Sequence, residues 1–462
     1  MRLYRNVIIL VAVLAVLIGA YFLLGARFST KADDTGKIEL VKLDKETVQE
    51  LTVETGEGRF VFKKNGTEWE MANENKFNFD NVQIDSIASN ITDLFAQRVI
   101  EEDAKDLNKY GLDKPVGISV KISDGTVAAV EIGDETPTKQ GYYIKKKDNN
   151  TVYTIDHFVG TILKTSKNDL KNRYLLEGTS ADVTEFALNK DGKVVFRVKK
   201  LADKGWALTE PIETNINMVR LNTALESVVR ASVTNFIEED AKDLSKYGLD
   251  KPLYVFEAAT ANERVKVLMG AEKEKNSETY AIVEGTSEVF TINPNSLGFL
   301  DMPLIEMIEG LVYAPNIDDV TDVEVNIDQK VIKLKMEKVK DDTAEGDKTK
   351  DKFYINGKDV MEKGKEGESE FRAYYRSLIS ISASEIQPEA VPSGTSEISI
   401  TYHLNRAPGK VTIGFIPKDD KTYYAMKNGE FTGMIVKKDA FDASEGPRKA
   451  YDKLMQLLEK KD

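Results

Sequence analysis

The sequence predicts an α+β protein: three tandem repeats of an antiparallel-sheet lobe, each with one main covering helix, behind an N-terminal transmembrane helix. Three observations carry that reading. Residues 100–115, IEEDAKDLNKYGLDKP, return at 237–252 as IEEDAKDLSKYGLDKP, 137 positions on, with Ser245 in place of Asn108 as the single change. Within each copy the apolar period changes from two to between three and four and back to two, in the same order. An uncharged apolar run, residues 7–24, precedes everything else.

That run, VIILVAVLAVLIGAYFLL, makes a helix of about 27 Å at 1.5 Å per residue, close to the hydrocarbon thickness of a bilayer. Cleavable signal peptides have shorter apolar cores, and Leu24-Gly25-Ala26 fits a small-x-small cleavage site poorly, so an uncleaved anchor is expected. Arg2 and Arg5 precede the span and Arg27 and Lys31 follow it; a short amino terminus and a large trailing body place the bulk of the chain on the extracytoplasmic side of the cell membrane. The expected organisation is a cytoplasmic terminus (1–6), the anchor (7–25), a linker (26–45), lobe one (46–178), lobe two (179–315) and a diverged lobe three (316–462).

Composition narrows the function. The chain has 462 residues, enough for about three domains, and 41% of them are hydrophobic, enough to give each a core. Acidic residues outnumber basic ones 77 to 64, and none of the acids falls in the first thirty positions, so the body is acidic and repels nucleic acid and anionic headgroups. The absence of cysteine excludes disulfides, thiolate nucleophiles, cysteine-ligated zinc and a lipoprotein anchor.

The 137-residue shift runs without a gap beyond the signature. Trp69 answers to Trp206, Gly133 to Gly270, Tyr143 to Tyr280, and residues 152–155 to 289–292. Each unit opens on an apolar alternation: Val48, Leu51 and Val53, then Val183, Phe186 and Leu188, then Val320, Val323 and Val325, the last of which reveals the third copy. That copy continues with residues 331–336, with Phe353 and Tyr354 where the tryptophans stood, and with late strands at Tyr423-Tyr424 and Met434-Ile435-Val436. Its charged tract, residues 338–352, is too poor in apolar residues to fold alone and is expected to be an extended hairpin loop.

Inside a copy, strands such as 60–62 and 69–71 precede one amphipathic helix. Ile84, Ile87, Ile91 and Leu94 share its face in the first copy; Leu221, Leu225 and Val228 do so in the second. After the signature come strand candidates at 117–122, 127–132, 142–145 and 152–155, separated by turn residues such as Asp124-Gly125. Hairpins imply antiparallel pairing. At the carboxyl end, residues 447–460 read as an amphipathic helix with Leu454, Leu457 and Leu458 on the side that packs on the third lobe.

As local structure, the signature reads as a helix stop. Asp103 is the N-cap, Asp106 sits in the first turn and Lys109 near the negative end of the dipole. Tyr110 precedes Gly111 at the left-handed C′ position, Leu112 folds back on Leu107, and Pro115 prevents continuation. Asp240, Asp243, Leu244, Lys246, Tyr247, Gly248, Leu249 and Pro252 repeat every element. The competing reading uses Glu101, Glu102 and Asp103, or Glu238, Glu239 and Asp240, as paired carboxylates for acid–base chemistry or as cation ligands. Asp106-x-Asn108-x-Tyr110-Gly111 echoes a calcium loop, but the position that needs an acid is Gly117. The structural reading is preferred because a duplicated fold needs two stops, and two active sites are the rarer need. Residues 384–388 of the third copy have lost the pattern.

The remaining candidates are weaker. His157 is matched by Pro294, and His403 lies in an alternating strand facing solvent; neither has a metal or triad setting. Gly56-Glu57-Gly58 reads as a hairpin turn. Trp69 and Trp206 read as core aromatics, with sugar stacking the competing use. Tyr142-Tyr143 and Tyr423-Tyr424 each place one ring on either face of a strand, so one of each pair is expected to be exposed, the best candidate contact surface. No catalytic, cofactor-binding or metal-binding residue is assigned.

The succession of a single span, a tryptophan-bearing strand pair, a helix, the D-L-x-x-Y-G-L-D-x-P element at Asp106 and again at Asp243, and the G-D and Y-Y strands resembles the uncharacterised bacterial family of unknown function DUF4340, most strongly over residues 45–300. That resemblance implies a membrane-anchored protein encoded beside ABC-type transporters related to gliding-motility systems, and it carries over no catalytic residues. The expected function is a non-enzymatic, membrane-anchored extracytoplasmic binding or accessory protein without a cofactor, whose partner is a transporter subunit, an envelope polymer or a peptide. The alternatives are a cell-envelope glycan hydrolase acting through acids such as Glu102 and Asp103, and a structural stalk.

Overall fold

The computed structural model describes residues 37–74, 76–202, 205–275, 277–340 and 349–460. The expected anchor lies outside the described residues, and among the described ones no helix is long and apolar enough to cross a membrane. The protein is α+β, with antiparallel sheets throughout, and divides into two compact units, one ending at Arg173 and the other starting at Tyr174.

The first unit is built on an eight-stranded sheet. Its spatial order is β4 (Glu68–Met71), β3 (Gly58–Asn65), β2 (Val48–Thr55), β7 (Val116–Ile122), β8 (Val127–Glu135), β9 (Gly141–Lys146), β10 (Val152–Asp156) and β6 (Arg98–Glu101). Gly56 and Glu57 form the two-residue turn between β2 and β3, with Thr55 opposite Gly58, as the sequence implied. Alternation sends Leu51, Val53, Phe60, Phe62, Ile118, Val120, Val130 and Ile132 to one buried face. Helix α1 (Asn81–Thr92) covers that face with Ile84, Ile87 and Ile91, each fully buried and each contributing about 1.5–3 kcal/mol. Asp80 caps α1, accepting from the backbone N–H groups of Val82 (2.8 Å) and Gln83 (3.2 Å).

Leu94 is not on that helix. The chain leaves α1 at Thr92 and enters β5 (Asp93–Ala96), which pairs with β1 (Ile38–Lys42), and strand alternation rather than helical phase turns Leu94 inward. A second helix, α2 (His157–Leu163), starts directly after β10 because Asp156 caps it through the Phe158 N–H (2.9 Å); its apolar residues are too few for a helical period to show.

The second unit holds two nine-stranded sheets. The first of them runs β14 (Thr214–Asn215), β13 (Gly205–Glu210), β12 (Lys193–Leu201), β11 (Glu185–Lys190), β16 (Tyr254–Ala259), β17 (Arg264–Glu272), β18 (Thr279–Val283), β19 (Val289–Ile292), β15 (Asn235–Glu238). The other runs β23 (Lys358–Asp359), β22 (Thr349–Ile355), β21 (Lys330–Lys340), β20 (Val320–Ile327), β25 (Ile398–Leu404), β26 (Lys410–Pro417), β27 (Thr422–Lys427), β28 (Glu430–Lys437), β24 (Glu385–Ile386). Helix α3 (Met218–Val229) buries Leu221, Leu225 and Val228 and is capped by Asn217, the counterpart of Asp80. Helices α4 (Gly364–Ile379) and α5 (Pro447–Glu459) pack on each other over the last sheet, and Leu454 and Leu457 of α5 are buried as expected. One continuous apolar cluster extends from Leu176 to Leu454 and joins both sheets of this unit.

Two expectations change. The 137-residue correspondence slips by one in the strand that follows the signature: Val116 faces Ile132, whereas Tyr254, and not Leu253, faces Met269. Leu253 is left 41% exposed, and the following turn absorbs the offset, so β17 is back in step. The charged tract 338–352 is also not all loop, since β21 and β22 pair out to Lys340 and Thr349; alternating lysines keep a solvated ladder long. Residues 341–348 lie outside the described ones.

Candidate functional site

The duplicated signature folds as a brace laid across the sheet face opposite the covering helix. In the first unit the chain turns after β6, with Asp103 at φ 48, and buries Ala104, whose N–H donates to the Asn150 carbonyl (3.0 Å). The expected helix is a single 3-10 turn, Asn108–Tyr110. Asp103 is therefore not its N-cap and pairs with Lys105 (2.6 Å); Leu107 stands at the N-cap position, and Asp106 just before it accepts from the Asn108 N–H (3.2 Å). A turn this short starts where its Asx residue stands, three positions later than a full helix would. The stop itself is as expected: Gly111 is left-handed (φ 65), and the Leu112 N–H returns to the Leu107 carbonyl (3.1 Å). Asp240, Asp243, Gly248 (φ 68), Leu249 and Leu244 repeat the arrangement, and Ser245 adds a hydroxyl donor to Asp243 (2.5 Å).

Each brace carries a small apolar core of its own. Ala104, Tyr110, Leu112 and Val152 are joined by Ile100, Leu107 and Tyr143; the twin comprises Ala241, Tyr247, Leu249, Ile282 and Val289 with Leu244, Leu268 and Tyr280. Tyr110 meets Tyr143 at 4.8 Å between ring centroids, and Tyr247 meets Tyr280 at 4.9 Å. The strand glycines repeated at the same spacing now have a reason: a Cβ on Gly133 would overlap the Tyr110 carbonyl oxygen, and one on Gly270 the Tyr247 carbonyl oxygen.

The acids of the signature are engaged in the same packing. Glu101 accepts from Tyr110 (2.6 Å) and from Lys109; Glu238 accepts from Tyr247 (2.6 Å) and Lys246 (2.5 Å). The lysine and then the tyrosine hold each carboxyl below its ordinary range, while burial and Glu101 push the Tyr110 phenol up. A carboxylate depressed in the folded state adds stability that is complete above its unfolded pKa and is lost as pH falls through the folded one. We expect Glu101→Gln and Glu238→Gln to flatten the loss of stability below about pH 4.3, read from urea midpoints across a pH series. Glu102 and Glu239 stay exposed, and among the described residues no group of three or more His, Asp or Glu side chains is placed to hold a metal ion.

The tyrosine pairs do not present the expected exposed ring. Tyr142 and Tyr143 are half-buried, the first beside Gly160 of α2 and the second in the brace core. Tyr423 is buried between Phe415 and Phe441 and donates to Glu397 (3.1 Å), burial pushing its phenol up to about 12. Tyr424 is half-buried against Phe431. Alternation was right about the two faces, but on the second the brace packs on Tyr143 and Phe431 packs on Tyr424. His157 sits 3.1 Å from Glu135, and His403 is exposed.

Sequence reading missed a cleft within the second unit. It measures about 900 Å³ and is lined by Trp206, Pro211, Asn215 and Glu309 on one side and by Tyr313, Lys427, Phe431 and Met434 on the other. Its floor is a direct contact: Gly433 (φ 79) lies against Ile212, where any side chain would collide. Trp206 is partly exposed here, unlike Trp69, which is 3% exposed with its indole N–H 3.3 Å from Asp85. In the sequence, Trp206 is matched by Trp69, and Gly433 within the last strand was the signal available. A second depression, on the open face of the last sheet, is crossed by ion pairs such as Lys333–Glu324 (3.7 Å).

Antiparallel sheets covered by helices, with a twin brace fixed by a strand glycine, make this an α+β protein in which tryptophan, signature and glycine recur at one spacing. The chain belongs to the family described as Domain of unknown function (DUF4340), which matches residues 69–252 and again 206–396, both matches opening on a tryptophan. No curated protein and no solved structure matches the chain.

Proposed function

We propose that this is a non-enzymatic, membrane-anchored binding or accessory protein whose body stands on the extracytoplasmic side, its three sheets being three copies of one lobe. The observation that carries the reading is the engagement of Glu101 and Glu238 with the lysine and tyrosine of their own brace, which makes the most repeated acids part of a lock and not an acid–base pair. The apolar run at residues 7–24 supplies the tether, which raises the local concentration of the body at the membrane. The partner is a transporter's membrane subunit or an envelope polymer.

Cross-linking on intact membranes, followed by recovery of the full-length protein, tests the tether and the partner together. The expected result is a membrane-fraction adduct with one integral protein or polymer; recovery of the uncross-linked chain from the soluble fraction defeats the proposal. Alanine at Glu101, Glu102 and Asp103 and at their twins should lower stability and leave partner capture by the folded protein intact.

A further inference from the structure

We propose that the cleft of the second unit binds a linear, uncharged oligosaccharide, held between the rings of Trp206, Tyr313 and Phe431 and hydrogen-bonded by Asn215, Glu309 and Lys427. The assignment rests on the reading of the chain as a binding protein and names the chemistry of its ligand.

The geometry selects this class in three ways. First, the cleft's volume of about 900 Å³ is that of an extended small ligand. Its partly exposed apolar lining includes the rings of Trp206, Tyr313 and Phe431 beside Pro211, Leu311 and Pro388, while Ile212 and Met434 behind them are buried, so flat faces set among polar residues, not an oily pit, meet the solvent. Sugar rings offer just such a C–H face together with a rim of hydroxyls; exposed Asn215, whose amide donates to Glu309 (3.1 Å), keeps its carbonyl oxygen and second N–H for that rim, and Lys427, 5.3 Å over the Tyr313 ring, adds an ammonium at its edge. Second, Glu213, Glu309 and Glu430 outnumber Lys427 at the cleft, which disfavours a phosphate, a nucleotide or an acidic peptide. Third, strand addition by a peptide is obstructed. At β13 the edge is taken by β14 through Ala207–Asn215 and Leu208–Thr214. At β28 it is taken by β24 and by the Gln387 N–H on the Gly433 carbonyl, and Pro211 and Pro388 have no N–H to give. Recognition there falls to side chains.

The protein carries its own reporter. It has two tryptophans, and Trp69 is 3% exposed in the other unit, so a change of emission on adding sugar arises at Trp206. Full-length protein in detergent is titrated with chitohexaose and, separately, with cellohexaose, following emission, calorimetry and the length of the recovered sugar. One of the two sugars should shift the emission; Trp206→Phe should abolish that shift, and Phe431→Ala or Asn215→Ala should weaken calorimetric binding about tenfold or more with unchanged unfolding midpoints. The proposal fails if neither sugar binds at millimolar concentration, or if Phe431→Ala and Asn215→Ala both bind as the parent does. It fails equally if a photo-cross-linker placed at position 206 captures a protein segment in membranes. Shortening of the bound sugar would overturn the non-enzymatic reading while leaving the site in place.

Discussion

Glu131→Leu is expected to destabilise the first unit by about 3 kcal/mol, while adding Lys145→Ile to it should restore stability to the parent's level or above. The pair bridges β8 and β9 at 2.7 Å, with side-chain exposures of 6% for Lys145 and 21% for Glu131. Among the described residues Lys145 otherwise reaches two carbonyl oxygens, those of Lys146 (3.5 Å) and Asn149 (3.4 Å). Removing the carboxylate leaves an ammonium in a place with little water, which costs far more than the pair itself is worth. The protein has already made the double replacement once: 137 positions on, Leu268 faces Ile282 in the same register, and Ile282 is 3% exposed. Lys145→Ile alone should be the milder single change, since water still reaches Glu131. Urea unfolding of Trp206→Phe protein, in which Trp69 reports on the first unit, measures the three variants; equal midpoints for Glu131→Leu and its parent would refute the argument.

Gly133→Ala and Gly270→Ala are expected to cost about 1–3 kcal/mol each, the first felt in the first unit and the second in the second. At both positions the added methyl meets a backbone carbonyl of the brace, which cannot rotate aside as a side chain could. The brace must lift, and with it the ring contact of Tyr110 on Tyr143, or of Tyr247 on Tyr280. The turn-tip glycines Gly66 and Gly192, which face open space, make the control: their positive φ penalises alanine through the backbone alone. Near-ultraviolet dichroism separates the two causes, because only lifting the brace disturbs the tyrosine pairs.

Much of this architecture was legible as spacing. Buried Ile84, Ile87 and Ile91, the left-handed Gly111 and Gly248, and the carboxyl-terminal helix all follow from period and from residue type, because local sterics and the burial of one face decide them. The misreadings share a cause. Leu94 sits where helix and strand phase both point inward, so the sequence does not tell them apart. The slip at Leu253 is invisible to letter matching because its compensation lies in the next turn. Asp103 and Asp106 are both plausible caps, and only the length of the turn chooses between them. Tyr423 has a partner on its far side, Phe441, that no local pattern announces. The cleft is harder still, since Trp206 and Phe431 belong to different sheets and meet only through the close approach at Gly433.

The apolar cluster that runs unbroken from Leu176 to Leu454 sets where this chain can be cut. A break at Arg173 passes between clusters, with residues 40–170 keeping theirs whole. A break near residue 315 would instead divide one apolar cluster, exposing the faces that the two trailing sheets turn toward each other, with Val312 parted from the Ile381 carbonyl to which its N–H donates (3.0 Å).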